Sequence, residues 1–125
     1  DALIKLKEKY TLALISNATQ PEIILALKQA KISLKLFSAI LGKGKAEPKP
    51  SPDAVKKIEH IVKSRVEYVV GDTIYDIKMG KNAGKKTVAV LTGANDIETL
   101  NAETPTMIIK SAAILPAILE GDLWE

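Results

Sequence analysis

The chain has 125 residues, 46% of them hydrophobic and 26% charged, a balance that suits one domain folded around a core and excludes a disordered chain. Its 18 basic and 15 acidic residues leave a net charge of +3, spread along the sequence and not gathered into the basic stripe of a nucleic-acid binder. With no cysteine and a single histidine, His60, it can form no disulfide, no thiolate nucleophile, no Cys-ligated zinc site and no two-histidine metal site.

The first residues, Ala2, Leu3, Leu6 and Tyr10 among lysines and glutamates, have helical spacing. Asp1 lies abruptly within that pattern, so a preceding segment is expected. Thr11 to Ile15 (TLALI) reads as a strand buried on both faces. A helix follows, with Thr19 as its cap, Pro21 in its first turn and Ile23, Ile24, Leu27 and Ala30 along it. Phe37 to Leu41 (FSAIL) is a second strand, and residues 42–52 (GKGKAEPKPSP) form a polar loop. Ser51 is expected to cap a helix beginning at Pro52, with Val55, Ile58, Ile61 and Val62 facing inward.

Tyr68 to Val70 is a third strand, ending at Gly71. The spacing predicts a helix over 74–83, closed by Gly84. Thr87 to Leu91 and Thr106 to Ile109 are two more strands, separated by a short helix capped by Asp96. Ser111 is expected to cap a last helix through Leu119, kinked or limited by Pro116. No apolar run approaches the roughly 18 residues of a membrane span, and no leader pattern is visible, so a cytoplasmic location is expected.

Strand and helix alternate about five times, which predicts α/β architecture: a doubly wound, Rossmann-like parallel sheet with helices on both faces. Residues 1–125 read as one domain. Ligands of such sheets bind beyond the carboxyl ends of the strands. Three stations lie there. Ser16 and Asn17 follow the first strand, where a hydroxyl beside a helix start can cradle phosphate, or simply cap the helix. Lys49, in Lys49-Pro50-Ser51-Pro52-Asp53, is framed by prolines that limit where it points, though it is one lysine among 17. Asp72 and Asp76, four apart after the third strand, suit Mg²⁺, which takes one or two carboxylates with phosphate oxygens and water. The alternative is that they serve the start of a helix, where the dipole favours acids. Ser16 precedes Lys49 by 33 residues, and Lys49 precedes Asp72 by 23.

This ordered set resembles the haloacid dehalogenase superfamily of phosphatases, in particular its phosphoglycolate phosphatase-like branch. LALISNAT resembles that family's second motif, KPSPD its third and VVGDTIYDIKMGKNAG its fourth, and KTVAVLTG fits the strand after it. The resemblance implies a Mg²⁺-dependent hydrolase of small phosphomonoesters. Ser16, with Asn17 beside it, would hold the transferring phosphoryl group. Lys49 would neutralise charge on nucleophile and phosphate. Asp72 would bind the metal, and Asp76 would bind it through water or orient Lys49.

The family's first motif, an apolar strand followed by Asp-x-Asp, supplies nucleophile and general acid. No Asp-x-Asp occurs in these 125 residues, and the substrate-selecting cap between the first two motifs is absent too. The resemblance therefore covers motifs two to four, the C-terminal part of such an enzyme, and this part alone is expected to be inactive. The missing strand would lie between those bearing Ser16 and Asp72. Without it, the chain is expected to rearrange, to self-associate, or to be completed by an N-terminal half. The expected partner is a small phosphorylated metabolite, with no nucleic acid and no membrane. The alternative function is a non-catalytic fragment or split subunit serving binding or assembly. A receiver domain has a similar ligand set in a different order, with its acidic pair first, and is set aside on that ground.

Overall fold

The computed structural model describes residues 2–93 and 95–119. In chain order they form α1 (Ala2–Lys7), β1 (Leu12–Ile15), α2 (Gln20–Gln29), β2 (Phe37–Leu41), α3 (Asp53–Val62), β3 (Tyr68–Gly71), α4 (Ile74–Asn82), β4 (Lys86–Val90), α5 (Ile97–Asn101), β5 (Met107–Ile109) and α6 (Leu115–Leu119). The α/β alternation is as the sequence predicts. All ladders are parallel: β1 with β2, β3 with β4, and β4 with β5. Among the described residues no helix is long and apolar enough to cross a membrane. Trp124 and Asp1 lie outside the described residues.

The parallel sheet is divided at the place where the absent first-motif strand is expected. β1 and β2 form one part, and β3, β4 and β5 the other. No ladder joins β1 to β3 among the described residues, so the direct pairing that a rearranged chain would show does not occur. Between the two strands runs a cavity of about 640 Å³. It is lined from Thr11 and Glu67 at their amino ends to Ile15 and Gly71 at their carboxyl ends. Side chains bridge the division. Val55 and Ile58 of α3, both nearly inaccessible, pack in one cluster with Leu41 of β2, Val69 of β3 and Met79 of α4. At the amino end Tyr10 meets Tyr68 edge to face, with ring centroids 6.4 Å apart. A second cluster packs Leu6 of α1 and Leu115 and Ile118 of α6 against Val88, Val90 and Ile109. A third buries Ile77, Ala89 and Leu100.

Local chemistry explains the element ends. Thr19 caps α2 in a reciprocal box with Glu22. Gly84 follows α4 at φ 75°. Three expectations are corrected. α1 stops at Lys7 instead of reaching Tyr10, whose N–H still closes on the Leu6 carbonyl at 2.8 Å. α3 starts at Asp53, because Pro52 is its flanking residue; the Ser51 hydroxyl accepts from the Asp53 N–H at 3.2 Å, one step ahead of a standard cap. Ser111 caps a single 3-10 turn, Ala112–Ile114, and α6 begins after it. Pro116 is the second residue of α6, where its missing N–H breaks no helical bond, so no kink arises.

Candidate functional site

All three stations sit at the carboxyl ends of the parallel strands, where the doubly wound pattern places ligands. Ser16 follows β1 directly, and its N–H continues the ladder to the Leu41 carbonyl at 3.0 Å. Its hydroxyl accepts from the Ala18 N–H at 3.1 Å, which bends the chain toward α2. Thr19, not Ser16, caps that helix, so Ser16 remains at the strand end. Ser16, Asn17 and Lys49 line a cavity of about 340 Å³ with Leu41, Gly42 and Ala54.

Lys49 is held from several sides. The Ser51 N–H closes a turn on the Pro48 carbonyl at 3.0 Å, and the Lys49–Pro50 peptide is cis. The Asn82 side chain of α4 donates to the Pro50 carbonyl at 3.0 Å, and the Asp53 carboxylate accepts from the Glu47 N–H at 2.9 Å. So anchored, Lys49 turns inward. Its ammonium meets Asp76 Oδ1 at 2.5 Å, with the two side chains only 16% and 8% exposed.

The Asp76 carboxylate is fully engaged. Its Oδ2 accepts from the Thr73 N–H at 3.2 Å and from the Thr73 hydroxyl at 2.9 Å, while the Thr73 hydroxyl accepts from the Asp76 N–H at 3.3 Å. This is a capping box at the start of α4, with Oδ1 left over for Lys49. Gly71 is required beside it, because a Cβ there would overlap the Asp76 side chain. Asp72 lies one residue before the cap. None of the hydrogen bonds or ion pairs among the described residues uses its carboxylate, and it lines the mouth of the larger cavity with Lys49 and Asp76.

The residues thus fall around one lysine. Lys49 and Asp76 are in contact, Ser16 and Asn17 share the smaller cavity with Lys49, and Asp72 shares the larger one. Ser16 and Asp72 border different cavities and belong to different parts of the sheet. Of the expected metal pair, Asp72 offers free carboxylate oxygens, whereas those of Asp76 are committed to Thr73 and Lys49. No group of three or more acidic or histidine ligands occurs among the described residues. One free carboxylate beside the cavity, with Lys49 and Asp76 also lining it, fits Mg²⁺, which keeps several waters and shares phosphate oxygens. The sequence reading missed three supports: the Thr73–Asp76 box, legible in the Thr-x-x-Asp spacing, and the side chains of Asn82 and Asn95. The last accepts from the Ile74 N–H at 3.1 Å across 21 residues.

Comparison with known proteins identifies the family. The model of haloacid dehalogenase-like hydrolases matches residues 1–90. The chain is 30% identical over 108 residues to a phosphoglycolate phosphatase of Vibrio parahaemolyticus, covering 85% of this chain and 47% of that protein. It is 28% identical over 116 residues to the pyrophosphatase PpaX of Bacillus mycoides, covering 90% and 54%. Among solved structures, a haloacid dehalogenase-like family hydrolase from Streptococcus pneumoniae superposes with a TM-score of 0.83 at 19% identity, over 95% of this chain and 57% of that one, a likeness of fold. The chain spans about half the length of the curated relatives it matches.

Proposed function

The chain belongs to the haloacid dehalogenase-like hydrolases, and from that premise we propose that it provides the phosphate, lysine and metal sites of a Mg²⁺-dependent hydrolase of small phosphomonoesters, of the phosphoglycolate phosphatase-like kind. The observation that carries this reading is the Lys49–Asp76 ion pair, held at the strand ends with Ser16 on one side and the free Asp72 carboxylate on the other.

Each residue has a role that its position supports. The Ser16 hydroxyl and the Asn17 amide donate to the oxygens of the transferring phosphoryl group. Lys49 sets a fixed positive charge beside those oxygens, where charge stabilisation in a water-poor cleft is strong. Asp76 keeps Lys49 aimed. Asp72 holds Mg²⁺, which when bound offsets phosphate charge as a Lewis acid. The attacking carboxylate is not supplied by these 125 residues, which contain no Asp-x-Asp. The cavity between β1 and β3 is flanked on both sides by unpaired parallel edges, which are templates for a further strand. A strand laid there, from an N-terminal half or from a second copy of the chain, would end beside Lys49 and Asp72 and could bring that carboxylate.

The same open edges favour a second reading, in which the chain is a binding or assembly module completed by a partner strand without catalysis. A steady-state assay of p-nitrophenyl phosphate hydrolysis distinguishes the two. The whole protein should turn over only with Mg²⁺, and Asp72→Asn should abolish that turnover. Hydrolysis that survives both chelation and Asp72→Asn refutes the Mg²⁺-dependent reading and the metal role of Asp72. Absence of hydrolysis alongside specific capture of an added strand favours the module.

A further inference from the structure

We propose that Asn95 and Gly93 are positioning residues for Asp72, an inference that rests on reading Asp72 as the metal-holding carboxylate. Asp72 takes none of the hydrogen bonds formed among the described residues, so its side chain is placed by what surrounds it. Two contacts from the turn after β4 do this. Gly93 lies so close that a Cβ there would overlap the Asp72 carboxylate. Asn95 Oδ1 accepts from the N–H of Ile74, the first residue of α4 and two beyond Asp72. That N–H is one of the orphan donors of a helix start. The Thr73 hydroxyl accepts instead from the Asp76 N–H.

The residues on either side of the turn are tied. The Leu91 N–H reaches the Ile109 carbonyl at 3.0 Å, and Asp96 Oδ1 accepts from the Thr99 N–H at 2.8 Å to start α5. Between these ties, Asn95 holds the turn against α4 while Gly93 forms a wall along Asp72. The carboxylate is kept beside the cavity without losing either oxygen to a donor among the described residues. Partners that orient a metal ligand in this way matter to affinity about as much as weak ligands do, with typical losses of 10- to 100-fold on removal.

The test is calorimetric titration of the whole protein with MgCl₂, with the Tm of each variant measured alongside. Wild type should bind one Mg²⁺ and Asp72→Asn should not. Asn95→Ala should weaken the affinity about tenfold. Asn95→Asp, whose carboxylate accepts the same Ile74 bond, should restore it. Gly93→Ala should weaken affinity with the Asn95 bond intact, since it displaces Asp72 directly. If Asn95→Ala lowers Tm but leaves the affinity at the wild-type value, Asn95 is only a remote helix cap, and the proposal fails while the metal reading stands. If Asn95→Ala does not fold, Gly93→Ala decides, and an unchanged affinity overturns the proposal. If wild type takes up no Mg²⁺, or Asp72→Asn takes it up equally, the metal reading fails and this inference falls with it.

Discussion

Lys49 Nζ reaches Asp76 Oδ1 at 2.5 Å across the division of the sheet, from the loop after β2 to the first turn of α4. The ion pair therefore joins the part of the site that bears Ser16 to the part that bears Asp72. Its carboxylate is also a member of a capping box, so the geometry of the lysine is fixed by the start of a helix.

Replacing Lys49 with methionine keeps most of its volume and removes the charge. On the proposed mechanism kcat should fall by about 10²- to 10³-fold, the usual consequence of losing one charge-stabilising donor. The Mg²⁺ affinity should change little. Steady-state kinetics with a parallel Mg²⁺ titration would check both. A rise in KM alone, with kcat intact, would contradict the role.

Asp76→Asn separates the two roles expected for that residue. If Asp76 orients Lys49, kcat should drop about 100-fold while Mg²⁺ binds within a few-fold of wild type. Both oxygens already being engaged favours this result. An affinity loss as large as that of Asp72→Asn would instead place Asp76 on the metal.

Ile77 is completely inaccessible on α4 and packs with Ala89 and Leu100. Ile77→Ala should destabilise the fold by about 2–5 kcal/mol, through lost burial and the cavity left behind. Thermal denaturation should show the midpoint falling by on the order of 10 °C.

Glu59 and Lys85 form an ion pair at 2.7 Å. The Lys85 hydrogen bond, and after it the Val66 N–H, hold the Glu59 carboxyl below its ordinary value. A lowered folded value means that this contribution is complete above the unfolded glutamate value of about 4.3 and fades as pH falls through the folded one. Glu59→Gln should therefore cost up to about 1 kcal/mol at neutral pH, the range of partly exposed pairs. The difference from wild type should close below about pH 4. Urea denaturation at both pH values would measure it.

Most of the fold was legible from local patterns. β2 was read to the residue from FSAIL, and α4 within one residue of its end, because burial and capping there follow from adjacent residues. The start of α3 was misplaced by one residue, since Pro52 can flank a helix or open it with the same φ. The division of the sheet followed from knowing which strand the motif pattern lacks. The cross-chain supports were not legible: Asn82 on Pro50 and Asn95 on Ile74 join positions 32 and 21 residues apart, and a single sequence carries no mark of such pairings. The commitment of Asp76 to Thr73 could have been read from the capping-box spacing.

The open division between β1 and β3 has a mechanical consequence. Ladder hydrogen bonds resist sliding, but no ladder among the described residues joins the two plates of the sheet; side chains do, among them the α3 packing, the tyrosine edge contact, the Asn82–Pro50 bond and the lysine–aspartate tie. A shear of one plate past the other would break no ladder bond, and it would change the spacing between Ser16 and Asp72. An anion gripped from both sides would stiffen the hinge it spans, so ligand capture and closing of the two plates would be one event.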